Sequence, residues 1–545
     1  MGLNITETNP WLLTLRSRGT LPVVSPLRSG TQRLARRRLP LRFFWGVALL
    51  VVGAGALAIS ILSPSNPKPN VSGSDFPINV GARNPGDIKA NNSPALARNP
   101  VRPSNLVVVN RVDSPRYSCG LHVSLDQGRR WSDTPIPTPS GEEPKCFAPD
   151  VAFARDGTMY MSYVTLKGAG NVPHAGWIVR SSDGGRTLSA PTRVLGPRAF
   201  QVRITADPAN ARRLYLTWLQ TSETGFLQFG QTGHPIRFAR SDDGGATWQP
   251  SVRVSSPSRA RVVAPAPAVG RGGAIYVLYL DLGGDRLDYE GEHGGRGGPP
   301  YGGRFTLVLA RSRDGGVTWA ESVVDDRVAP TERFVVFLPP LPSIAIDPRS
   351  GRIYAGFEDG RLGDPDVRVW SLPRGASRWE GPTRVNDTAE RDGRAQYLPR
   401  LAVAPNGRLD VVYYDRRADR RNLMNQVSLQ SSRDEGKSFG SHVVLSGRPF
   451  DSRIGSGSER NMPDLGNRLG MVSGDSSALA VWADTRGGTV DSNKQDIAGA
   501  VVEFPAPVLD DAGRLVLRYG GIVLALGGLA LLMSARRTRR QGVAA

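Results

Sequence analysis

The sequence predicts an all-β propeller of seven four-stranded blades flanked by two transmembrane helices. Three observations predict it. An eight-residue phrase, Ser241-Asp242-Asp243-Gly244-Gly245-Ala246-Thr247-Trp248, returns as Ser312-Arg313-Asp314-Gly315-Gly316-Val317-Thr318-Trp319. A second phrase, reading Pro-x-hydrophobic-Ala-x-Asp-x-x-Gly-x-hydrophobic-Tyr-hydrophobic, is interleaved with the first. Two apolar runs, the uncharged 43–62 and 515–535 with Arg518 near its start, bracket the repeats.

Looser copies of the first phrase start at Ser124, Ser181 and Ser432, so that successive starts lie 57, 60, 71 and 120 residues apart. The last interval is two periods, and a worn copy, Ser371 to Trp379, fills it. A fixed period of this length is the mark of a repeat architecture. Each copy sits between β-patterned runs and reads as a hairpin turn. The Asp carboxylate accepts backbone N–H groups, the glycine supplies a left-handed φ, and the aromatic packs into the blade. Asp126, Asp183, Asp243, Asp314 and Asp434 are therefore expected to be turn-formers.

The second phrase supplies two buried strands and a tight turn, with copies at 149–163, 202–218, 267–279, 342–357, 399–413 and 463–482, and a fainter one at 94–109. Each unit then contributes strands A and B, strand C, the Asp turn and strand D. The last unit ends at strand C, near Asp496 to Glu503, and lacks its own strand D. The segment 76–80 resembles a strand D and is expected to close the ring, which removes the exposed edges of an open sheet. Seven blades follow, with six as the alternative.

The flanks follow from charge. Residues 1–42 read as a basic cytoplasmic segment and 43–62 as a membrane span or uncleaved signal anchor; a cleaved signal peptide is the rival, since Ala56-Leu57-Ala58 has a small-x-small form. Residues 63–104, rich in Pro, Asn and Ser, read as a linker that contributes the ring-closing strand. The propeller is expected over 105–507, a second span over 515–535 and a basic cytoplasmic tail over 536–545. Basic flanks on both spans place the propeller on the extracytoplasmic side of the plasma membrane. The same flanks hold most of the net charge: of +20, residues 1–42 carry +7 and 514–540 carry +6. The excess left on the middle is too mild to indicate nucleic acid.

The two cysteines, Cys119 and Cys146, fall at loops expected on one face, so a disulfide is expected outside the membrane. The five histidines show no metal-ligand spacing, and no phosphate loop or dinucleotide fingerprint occurs. No metal and no cofactor are expected.

The Ser-x-Asp-x-Gly-x-Thr-aromatic phrase resembles the Asp box (BNR repeat) of the sialidase-like β-propellers, over roughly 104–504. In that family the boxes lie away from the ligand, which implies a site on the B–C and D–A loop face. After strand B, three units share an aromatic-x-Asp-x-Arg pattern that brings Asp359, Arg361, Asp415, Arg416, Asp484 and Arg486 to that face, with Glu358 beside them. Asp281 occupies the same place in unit four, before a 22-residue loop that holds nine glycines and His293. Recurring blade-to-blade salt bridges are the competing account of the Asp–Arg pairs. Arg203, Arg400 and Asp464 stand near the starts of innermost strands. The resemblance implies a sialidase-like set in which Arg203, Arg400 and Arg486 hold a carboxylate, Tyr414 is the nucleophile, and Asp415 or Glu459 assists it. The family's Phe/Tyr-Arg-Ile-Pro motif is absent, and the chain is doubly anchored. The expectation is thus a membrane-anchored module that binds a glycan or envelope protein, with a retaining exo-glycosidase as the alternative.

Overall fold

Seven antiparallel sheets, each begun by a buried apolar strand, form the ring. The structure is a computed structural model describing residues 41–62, 67–222, 233–285, 301–331, 341–458, 463–506, 509 and 511–541. It divides into two units, one of the chain ends and one spanning Asn66–Ala506.

The innermost strands are Asn91–Arg98, Cys146–Phe153, Ala199–Ala206, Val262–Val269, Ser343–Ile346, Gln396–Val403 and Gly470–Ser473, for blades one to seven in order. The seventh sheet takes strands Gly470–Ser473, Ser477–Asp484 and Asp496–Glu503 from the C-terminal part. Its outer strand comes from the N-terminal part: Asn70 and Val71 pair with Glu503 and Val502, and Phe76 and Pro77 pair with Gly499 and Ala498. Within the 76–80 segment the paired strand is Phe76–Pro77, and Val80–Arg83 turns into a 3-10 helix. The region 63–104, expected to be a linker, also carries the innermost strand of blade one, Asn91–Arg98, paired with Leu106–Val112. At the seam Ile78, Leu96, Val108, Leu479, Val481 and Ile497 form one buried cluster between blades seven and one. A disulfide joins Cys119 of blade one to Cys146 of blade two, with Cα atoms 5.5 Å apart.

The repeated turns have the bonding that their residues dictate. In 312–319, Ser312 Oγ donates to Asp314 Oδ1 at 2.8 Å and accepts from Gly316 N at 2.8 Å. Thr318 N donates to Asp314 Oδ1 at 3.0 Å, and the Trp319 indole donates to Gly316 O at 3.0 Å. Gly316 has φ +96°, and the corresponding Gly185 and Gly245 have +101° and +87°, values that a Cβ would strain. These bonds to the charged carboxylate hold Asp183 down to about 2 and lower Asp243, Asp314, Asp126 and Asp434 as well.

In the other unit, helices Leu41–Leu62 and Asp511–Gln541 are both long and apolar enough to cross a membrane. They pack through glycine: a Cβ on Gly53 would lie 2.6 Å from Gly521 O, and one on Gly528 would lie 2.6 Å from Gly46 O. Close backbone approach of this kind is how helices associate where apolar lipid removes the hydrophobic drive.

Candidate ligand site in the central channel

The innermost strands share a device that sets the site. Five of them break register near their starts, between Asn92 and Ala95, Phe147 and Asp150, Phe200 and Arg203, Val263 and Ala266, and Tyr397 and Arg400. Each break contains a non-glycine residue in the left-handed region: Ser93 (φ +52°), Ala148 (+49°), Gln201 (+51°), Ala264 (+62°) and Leu398 (+55°). Blade seven has Gly466 at +87° in the same place. Such bulges re-aim the side chains that follow. Two residues beyond each stand Ala95, Asp150, Arg203, Ala266, Arg400 and Arg468; by register the counterparts of Arg400 in blades five and seven are Ser343 and Gly470.

All seven innermost strands wall a cavity of about 100 Å³, and Asp150, Arg203, Arg400 and Arg468 line it. Arg203 Nε lies 3.4 Å from Asp150 Oδ2, and Arg468 Nη1 lies 3.6 Å from Asp150 Oδ1. The carboxylate also accepts Ile204 N at 3.0 Å. Arg468 crosses blade one to reach blade two: its Nε donates to Ser93 O at 3.0 Å, and its Nη2 donates to Pro149 O. Arg203 and Arg400 are less engaged. Arg203 Nε and Nη1, and Arg400 Nε, are buried without a hydrogen-bond partner among the described residues. Burial, reinforced by Arg203, pushes Arg400 down to about 10. Burial pushes the Asp150 carboxyl up, against the pull of Arg203 and Arg400. A smaller cavity of about 30 Å³ shares Arg203 and Arg468 with the first and adds Arg111. Arg111 is compensated, with Asp113 at 2.7 Å and Asp464 at 2.5 Å.

No family model matches the chain, and no curated protein matches it. Solved structures to which it is similar include a Dyadobacter fermentans protein of unknown function, at 14% identity and TM-score 0.45, covering 81% of this chain and 100% of that one. The Hadza microbial sialidase Hz136 matches at 13% identity and TM-score 0.40, over 75% of this chain and 76% of that one. A Penicillium chrysogenum α-L-arabinanase matches at 15% identity and TM-score 0.40, over 67% and 95%. This chain forms a seven-bladed ring. Its fold rests on its own sheets.

The other residues singled out in the sequence lie elsewhere. Arg486 is not in the channel; it pairs with Asp484 and with Asp75, in the segment between the two ring-closing strands. Arg361 likewise pairs with Asp359 and, at 2.7 Å, with Asp325 of blade four. Arg417 binds Asp415 at 2.5 Å and Asp387, just beyond blade five, at 2.5 Å. In each pattern the arginine's own N–H also donates to the Asp two residues earlier, at 2.8, 3.0 and 2.8 Å for Arg361, Arg417 and Arg486. These pairs tie neighbouring blades or the closing strand.

The Tyr414 hydroxyl is fully buried and exchanges hydrogen bonds with Ala483 O and Ala483 N at 3.1 and 3.2 Å. Burial raises its pKa well above the ordinary tyrosine value. Asp415 additionally accepts Ser428 Oγ at 2.7 Å and Gln396 Nε2 at 3.2 Å. Arg416 is spent on Asn425, Asn422 O, Tyr397 and Ser452. Asp281 accepts Arg259 Nη1 at 2.9 Å. Glu358 is buried, accepts Leu398 N at 2.7 Å and Thr331 Oγ1 at 3.3 Å, and is pushed up to about 7 by burial. Glu459 and His293 lie outside the described residues. Among the described residues no group of three or more His, Cys, Asp or Glu could hold a metal ion.

Sequence reasoning found Arg203 and Arg400 but missed Arg468 and Asp150. For Asp150 the signal is in the sequence: the ring position follows Pro in Pro94, Pro149, Pro265, Pro342 and Pro399. Arg468 stands two residues before the blade-seven ring position, Gly470, so the repeat does not point to it.

Proposed function

We propose that this protein is a membrane-anchored binding module of the cell envelope, holding its propeller on the extracytoplasmic side to recognise a glycan or envelope protein. One observation carries the choice of binding over hydrolysis. The groups nominated for covalent chemistry are consumed by the scaffold, whereas two channel arginines keep unpaired donors. A Tyr414 hydroxyl held between the N–H and C=O of Ala483 has no free lone pair aimed outward, and its raised pKa opposes formation of a nucleophilic phenolate. Asp415 is bound to Arg417, Gln396 and Ser428 and has no capacity left to activate a neighbour. Arg486 is compensated twice over and offers no free fork to a sugar carboxylate. Basic residues beyond both apolar helices support the orientation.

The test uses the full chain in nanodiscs, offered a panel of envelope glycans and proteins alongside fluorogenic sialosides and arabinosides. Retained binding without glycoside turnover is the expected result. Turnover that disappears in Tyr414→Phe would establish the hydrolase instead.

A further inference from the structure

The geometry points to a site for one small oxyanion, of the sulfate or phosphate type, enclosed in the central channel by Arg203, Arg400 and Arg468. This rests on the same channel arginines as the binding reading and deepens it by naming the class of ligand they hold. Four charged groups face the cavity, three guanidinium groups and the single carboxylate of Asp150. Their sum is an excess of two positive charges inside a protein wall. Buried charge is costly unless it is paired and hydrogen-bonded. Arg203 is nine-tenths buried, yet its Nε meets Asp150 only at 3.4 Å and its Nη1 meets no partner among the described residues. Arg400 has no ion pair within 4.0 Å among the described residues, and its Nε is also without a partner. Guanidinium forks of this kind match the oxygens of sulfate, phosphate or a carboxylate. Asp150 occupies part of the donor set and keeps Arg203 and Arg468 in place, leaving the remaining donors to the anion.

The size of the cavity decides the class. A volume of about 100 Å³ accepts a tetrahedral oxyanion with little to spare, and excludes a sugar ring of the kind a glycan subsite would hold. Asp150, Arg203 and Arg400 sit at one ring position in blades two, three and six, and Arg468 reaches the cavity from two residues before that position, Gly470, in blade seven. An anion there would bond blades that are not neighbours and act as a keystone for the ring. Arg111, the next arginine along the wall, already faces Asp113 and Asp464 and adds no free charge.

The experiment is thermal unfolding of the full chain in detergent or nanodiscs, titrated with sulfate, phosphate, acetate or glucuronate at constant ionic strength. Sulfate or phosphate should raise the midpoint saturably, following ligand linkage to the folded state. Arg203→Gln and Arg400→Gln should each weaken the apparent affinity at least tenfold, and Arg313→Gln, in the turn of blade four, should not change it. Arg400→Gln should also raise the midpoint in oxyanion-free buffer, because it removes an uncompensated buried charge. A purely structural Arg400 gives the opposite sign there, so partial unfolding of one variant does not blur the outcome. Asp150→Asn should tighten sulfate binding by raising the positive excess. The proposal is overturned if none of the anions shifts the midpoint saturably. It is overturned equally if glucuronate alone does so, since the channel would then be a subsite for a larger ligand.

Discussion

Arginine serves opposite ends in two regions of this propeller. Between the blades each of Arg361, Arg417 and Arg486 faces two carboxylates, one in its own turn and one on another strand. In the channel three arginines share one aspartate. The chemistry is the same guanidinium–carboxylate pairing, and only the stoichiometry differs. Compensated pairs consume all the charge that they introduce and act as ties. The channel set leaves charge and donors over, and the proposed anion site rests on that surplus. The comparison also shows why a repeated Asp-x-Arg pattern is a poor guide to ligands: repetition arises where every blade needs the same tie.

Breaking a tie gives the largest effect. Arg417→Met leaves Asp415, whose side chain is fully buried, without its cation. The expected loss is about 3–5 kcal/mol in chemical unfolding. A loss below about 1 kcal/mol would remove the distinction between tie and site.

Glu358 offers the mirror image, a buried carboxylate facing no ion-paired cation among the described residues. Its folded value of about 7 exceeds the unfolded value of about 4.3, so the folded state binds the extra proton between them. Stability contributed by this group is therefore full below about pH 4, falls as pH rises, and levels off above about pH 7. The fall amounts to about 4 kcal/mol at most and should be absent in Glu358→Gln, with urea midpoints measured from pH 4.5 to 8 as the readout. An identical pH profile in the variant would show that Glu358 is ordinarily ionised.

The turns give the smallest effect, since their carboxylates are satisfied yet exposed. Asp183 is held down to about 2 by Thr187, Ser181 and backbone N–H groups. Its contribution is present above the unfolded value near 3.9 and is lost as pH falls towards 2. Solvent screening limits it to less than about 1 kcal/mol, so Asp183→Asn should shift the acid-side midpoint only slightly. A larger shift would mean that the turns brace the blades more than their exposure implies.

The ring was legible in the sequence because two phrases recur out of phase, and each phrase fixes different strands. Closure by 76–80 was legible because the last unit lacks an outer strand; that Asn70 and Val71 also join it was not, since two residues carry no period. The site was half legible. Arg203 and Arg400 were found by their place at innermost strands. Arg468 was hidden because it stands two residues before the ring position of blade seven and because a bulge, whose left-handed residue can be Ser, Ala, Gln or Leu, has no compositional mark. Arg486 was drawn in by a pattern that belongs to the ties. What escaped the reading was register, which backbone geometry sets and composition does not record.

The closing sheet also imposes an order in time. Asn70 and Val71 leave the ribosome long before Val502 and Glu503, the residues with which they pair. At about 5–20 residues per second that interval is roughly 20–90 s, during which the early segment waits as a lone β-edge. Pro69 and Pro77 lack the N–H groups that a passing strand would pair with at those two positions.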